Sequence, residues 1–89
     1  ARTYLNQVRD RVGLAAVTSS GNQLLEDIYT ERRLELATEG HRFFDLIRTG
    51  KASEVLGDQG FVASTHTYLP IPQQEIDAAP DVLTQNPGY

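Results

Sequence analysis

The stretch Glu31-Arg32-Arg33-Leu34-Glu35-Leu36-Ala37-Thr38-Glu39-Gly40-His41-Arg42-Phe43-Phe44-Asp45-Leu46-Ile47-Arg48 decides the fold. Nearly all of its residues enter helices readily. It sets four acids and four arginines among seven apolar side chains, a density of charge that needs partners on neighbouring elements. Asp27, Glu31, Glu35 and Glu39 follow one another at i, i+4 steps, and like charges so placed cost a helix about 0.2–0.5 kcal/mol per pair. Arg32 can relieve Glu35 and Arg42 can relieve Glu39, but the column stays unbalanced. Other basic or backbone groups must therefore meet these carboxylates in the fold. Gly40 interrupts the pattern at a cost of about 0.8–1 kcal/mol against alanine, so the helix bends there or stops and restarts. Phe43, Phe44, Leu46 and Ile47 carry a second apolar face through a shorter helix over 41–48, closed by Gly50. Within it, Arg42–Asp45 and Asp45–Arg48 are spaced to pair.

Upstream, Leu24, Leu25, Ile28, Tyr29 and Leu36 define the inner face of a helix expected over 22–38, with Ser20 or Asn22 as its cap. Residues 15–21 are small and polar and read as a connection. Tyr4, Leu5, Val8 and Val12 form the stripe of a first helix over 2–12. Gly13 supplies its left-handed stop, with Leu14 folding back on Val8.

Downstream, Lys51 to Leu56 make one or two further turns before the breakers Gly57 and Gly60. Residues 61–89 read as an extended, proline-containing tail. Pro70 and Pro72 forbid regular helix around them, and Tyr68-Leu69-Pro70-Ile71 is extended. Pro72 suits the first position of a short turn through Asp77, and Asn86-Pro87-Gly88 reads as a turn. The tail cannot make its own core and is expected to bury Leu69, Ile71, Ile76 and Tyr89 along the helices. The pattern as a whole is all-α, a single domain over 1–89.

The chain carries a net charge of −4, and its 89 residues predict a stability of order 4–13 kcal/mol at about 0.05–0.15 kcal/mol per residue. No basic cluster stands clear of compensating acids, so phosphate-backbone binding has no electrostatic support. The absence of cysteine excludes disulfides and thiolate metal sites. No apolar run approaches the ~18 residues of a membrane span. The chain opens on Ala1 and contains no Met, so we expect its translation start, with any targeting signal, to lie upstream.

No residue cluster calls for catalysis, a cofactor or a metal. His41 and Asp45 share a helix face near Glu39, but a divalent metal needs three or four ligands; we expect His41 to pack or hydrogen-bond within the bend. Ser19-Ser20 and His66 lack a triad context and read as cap and loop. Gly57-Asp58-Gln59-Gly60 is a turn, because no Lys-Ser/Thr follows it. Phe43-Phe44 has the faces to stack on a sugar, yet its spacing favours core packing.

Three blocks in order resemble the C-terminal part of the SusD/RagB family of nutrient-binding outer-membrane lipoproteins. They are Leu5-Asn6-Gln7-Val8-Arg9 with Arg11-Val12-Gly13-Leu14; Glu31-Arg32-Arg33-Leu34-Glu35-Leu36-Ala37 through Glu39-Gly40-His41-Arg42-Phe43-Phe44-Asp45-Leu46; and Leu69-Pro70-Ile71-Pro72-Gln73 with Glu75-Ile76-Asp77, closing in Thr84-Gln85-Asn86-Pro87-Gly88-Tyr89. Two departures stand out: Thr38 where the family often has an aromatic, and Thr49 where Trp is usual. Family members are several-fold longer, so the resemblance implies a C-terminal helical fragment of a TPR-containing, α-α superhelical fold.

The resemblance further implies a protein lipid-anchored outside the outer membrane through an N-terminal segment absent from these residues. It would bind oligosaccharides or other nutrients, without catalysis, and pass them to a TonB-dependent transporter. No ligand-binding residue transfers, because the family's sugar-contacting aromatics lie mostly in other parts. Arg32, Arg33, Glu35, Glu39, Arg42 and Asp45 would tie the helix bend to the scaffold, which makes this segment mainly structural. The alternative is a helical interaction or oligomerisation module with no ligand site of its own, docking through Phe43, Phe44 and Ile47.

Overall fold

Helix α1 runs from Arg2 to Arg11 in a computed structural model that describes residues 1–89. Its end is set by Gly13, whose φ of +73° only glycine adopts freely. The Gly13 N–H donates to the Asp10 carbonyl at 3.0 Å and the Leu14 N–H to Arg9 at 2.9 Å. This is the crossed pair of bonds that satisfies a helix's orphan carbonyls. The stop read from the sequence is therefore present, one residue earlier than expected.

The connection that follows has no secondary structure, so its backbone polar groups need other partners. Helix α1 supplies them from Arg2, Asn6 and Arg9, spaced along one helix face. Arg2 donates to the carbonyls of Thr18 and Ser19 at 3.1 and 3.3 Å. Asn6 accepts from the Val17 N–H at 2.9 Å and donates to the Val17 carbonyl at 3.1 Å. Arg9 donates through Nε to Ala15 at 2.8 Å.

Helix α2 spans Gly21–Glu35. Ser20 sits at its N-cap in extended conformation, but its side chain makes no capping bond. The neighbouring Ser19 hydroxyl donates to Asp27 instead. The helix ends three residues before the expected Thr38. Thr38 has a φ of +71° and Gly40 one of +79°, so the chain leaves the helix and restarts beyond Gly40. A β-branched residue in left-handed conformation is an outlier, and local composition gives no hint of it.

The chain divides into two compact units, Ala1–Arg42 and Phe43–Tyr89. In the first, α1 and α2 pack with Leu5 and Glu31 buried.

In the second unit, α3 (Arg42–Arg48) ends at Gly50, φ +70°, with the same crossed bonds, Gly50 to Ile47 and Lys51 to Leu46. Helix α4 (Ala52–Leu56) and a 3-10 turn (Gly57–Gln59) follow. Leu46, 2% exposed, and Ala52 are the buried apolar residues of this unit.

The tail is less extended than expected. Ala63–His66 forms a short helix, α5, and Gln73–Ala78 forms α6. Val62 anchors α5: its carbonyl receives the Thr65 and His66 N–H groups, and its N–H donates to His66 Nδ1 at 2.8 Å. Pro72 caps α6 from outside and does not occupy its first helical position. Leu69 is 64% exposed and Tyr89 is also exposed, against the expected burial, while Ile71 and Ile76 are half-buried. Polar bonds hold this tail. Gln85 accepts from the Ile71 N–H at 2.8 Å and donates to the Ile71 carbonyl at 2.9 Å.

Candidate functional site

Part of the charged band resolves into internal pairs. Arg9 of α1 meets Glu31 of α2 at 2.6 Å, and Arg11 meets Glu35. Glu31 is only 7% exposed, a burial a carboxylate tolerates when paired and hydrogen-bonded. Asp27, at the head of the column, accepts from the Ser19 hydroxyl and from Gln23 at 3.1 Å. The Ser19 bond, then the Gln23 bond, holds its carboxyl below the ordinary value of 3.8, outweighing the opposing effect of burial, and the Arg9 charge contributes least. Three carboxylates of the column thus find partners, as their spacing required. The sequence did not identify Arg9 and Arg11 as the partners of Glu31 and Glu35. The available signal was that both arginines flank the Leu5–Val8 stripe, one on each side.

Beside these pairs lies an open hollow of about 420 Å³ between α1 and α2, lined chiefly by Tyr4, Leu5, Val8, Ile28 and Leu36. Glu31, Arg32 and Glu35 reach its edge, but the two carboxylates there already accept from arginines.

In the second unit a row of rings runs from Phe44 to Tyr89. Phe43 meets Phe44 edge-on at 5.8 Å between centroids and Phe61 at 6.3 Å. Phe61 lies 5.8 Å from His66, which lies 6.5 Å from Tyr89. These separations lie in the range that aromatic pairs favour, edge-on except for the tilted Phe61–His66 pair. Phe43, Phe61, His66 and Tyr89, with Leu56, Gln59 and Leu69, line a hollow of about 400 Å³. Phe44 departs from the expected core role, being 61% exposed. Amphipathic spacing marks a residue as apolar without saying whether anything covers it.

The remaining candidates separate. His41 and Glu39 are exposed, so His41 does not pack into the bend. Asp45 accepts from Arg48 at 2.8 Å. Nowhere do three or more His, Asp or Glu side chains gather as metal ligands. His66 uses Nδ1 to receive the Val62 N–H, a loop-holding role. The geometry offers apolar and aromatic surface beside carboxylates held by arginines, which suits packing and stacking.

A sequence model of the SusD family matches residues 1–61. A SusD-like protein of Formosa agariphila is 36% identical over 97% of this chain, which corresponds to 19% of that protein. A second from the same organism is 32% identical over the whole chain and 21% of its own length. Among solved structures, a laminarin-binding SusD-like protein superposes with a TM-score of 0.85 at 52% identity, covering 99% of this chain and 18% of that one. The chain therefore spans about a fifth of the length of these relatives. No helix is long and apolar enough to cross a membrane.

Proposed function

The chain belongs to the SusD family, and from that premise we propose that the protein carrying it captures oligosaccharides at the cell surface, with this segment as scaffold. The observation that carries the scaffold reading is the engagement of two carboxylates of the charged motif by the first helix, Glu31 by Arg9 and Glu35 by Arg11. A sugar site needs hydrogen-bonding groups left over for hydroxyls, and these groups are already engaged. The proposal is binding without catalysis, as the pairing of those carboxylates with arginines favours in this segment. The 52% identity to a laminarin-binding relative makes laminarin the first glycan to try.

The proposal extends to anchoring by an N-terminal lipid at the outer membrane and to delivery of the sugar to a TonB-dependent transporter. Titration calorimetry of the longest natural form against a glycan panel tests the capture. We expect saturable binding of at least one oligosaccharide and no release of reducing ends. A panel-wide absence of binding contradicts the proposal. Co-purification from detergent-solubilised outer membranes tests the transporter partnership.

A second reading is favoured by one observation, the exposure of Phe44 at the end of the ring row. In it, the Phe43, Phe44 and Ile47 face docks on a partner. Light scattering separates the two: a dimer that Phe44→Ser dissolves supports docking, and a monomer at all concentrations opposes it.

A further inference from the structure

We infer that residues 85–89 form a clasp that builds one wall of the aromatic hollow, so that this hollow and the Tyr68–Pro72 segment are ordered together. The need for a clasp is written in the prolines. Pro70 and Pro72 have no N–H, so Ile71 is the sole backbone donor between Leu69 and Gln73. A backbone ladder can hold such a segment from one side only, because every second donor is missing, and the fold provides no strand to do it. One side-chain amide does so instead, and Gln85 presents it in both senses, accepting from the Ile71 N–H and donating to its carbonyl.

Three further contacts extend the hold in both directions. Asn86 Nδ2 donates to the Leu69 carbonyl at 2.6 Å, and the Tyr89 hydroxyl donates to the Tyr68 carbonyl at 3.0 Å. Gly88, with φ +93°, lies so close to α5 that a Cβ there would collide with the Thr65 side chain. The segment is thus pinned to Tyr68–Ile71 by hydrogen bonds and to α5 by close approach. These two anchorages bring Leu69 and Tyr89 to the rim of the hollow and set Tyr89 against the His66 ring. Leu69 and Tyr89 are both exposed, so little other packing holds either residue at that rim. The hollow is therefore conditional on the clasp.

Hydrogen exchange read by mass spectrometry on the longest natural form tests this with two chemically unrelated changes. Gln85→Ala removes the polar lock, whereas Gly88→Ala drives a wedge against Thr65 and leaves the lock's chemistry intact. Both are expected to raise exchange in a peptide spanning Tyr68–Gln73 by roughly tenfold or more, with a peptide over Asn6–Val17 unchanged. Gln85→Glu, which keeps the acceptor and loses the donor, is expected to fall between. In the unsubstituted protein, the Ile71 amide is expected to exchange at least about tenfold more slowly than an unstructured amide. An unprotected Ile71 amide overturns the inference without any variant. So does a folded Gln85→Ala or Gly88→Ala protein with unchanged exchange at Tyr68–Gln73, or one whose Asn6–Val17 peptide is released equally.

Discussion

Arg9 links α1 to α2 by holding Glu31 at 2.6 Å, while its Nε holds the Ala15 carbonyl at 2.8 Å. One guanidinium thereby fixes both the helix pair and the start of the connection between them. The planar fork of arginine suits this double duty, and a lysine in its place could not satisfy both partners in one geometry. Glu31→Ala should cost about 2–3 kcal/mol. This lies below the 3–5 kcal/mol typical of fully enclosed pairs, because Arg9 is 22% exposed and keeps Ala15. A shift in the urea midpoint at constant slope is the readout. A change under about 0.5 kcal/mol would place the pair among ordinary surface bridges.

Asn6 gives a second mechanical test. Its amide takes both backbone groups of Val17, and each bond contributes about 0.5–1.5 kcal/mol. Asn6→Ala is expected to destabilise by about 1–2 kcal/mol. Asn6→Asp should destabilise as well, since a carboxylate can accept from the Val17 N–H but repels its carbonyl. Equal stability of Asn6→Asp and the parent would argue against the two-way contact.

The pH dependence of Asp27 has a definite sign. Its folded pKa lies below the ordinary 3.8, chiefly through the Ser19 hydroxyl and then Gln23. A carboxyl of depressed pKa contributes stability that is present above its unfolded value and lost as pH falls through the folded one. Ser19→Ala should therefore melt earlier than the parent at neutral pH, with the gap narrowing as pH falls below 3.8. Melting curves between pH 7 and strongly acidic solution check this. A gap independent of pH would mean that the serine acts through something other than Asp27.

Thr38 is the only non-glycine residue with positive φ. A strained backbone of this kind holds about 1–3 kcal/mol. Thr38→Gly should therefore stabilise the chain by about 0.5–1 kcal/mol, after glycine's greater unfolded-state entropy is subtracted. Destabilisation by this exposed substitution would show that the Thr38 side chain makes a contact worth more than the strain.

What could be read from the sequence follows from what is local. The stops at Gly13 and Gly50 were legible because a left-handed residue after an amphipathic run is a short-range requirement. The unbalanced Asp27–Glu39 column pointed to outside partners because like-charge repulsion along a helix is also short-range. The identity of those partners, Arg9 and Arg11, was not legible, being separated by more than twenty residues from the acids they meet. Thr38 hid the end of α2 because Leu36, Ala37 and Glu39 around it are all good helix formers. Phe44 and Leu69 were misplaced for a common reason: periodicity identifies apolar side chains but not the surface that would cover them. The Gln85–Ile71 contact went unread although its cause, a lone N–H between two prolines, was in plain view.

The most direct test of the central claim compares glycan affinity and stability in one variant. Glu31→Gln in the longest natural form should lower the urea midpoint and leave the calorimetric affinity for laminarin, or for whichever glycan binds, unchanged under conditions where both proteins are folded. A protein of unaltered stability whose glycan affinity collapses would contradict the account, because it would place the charged band in the sugar site and not in the scaffold.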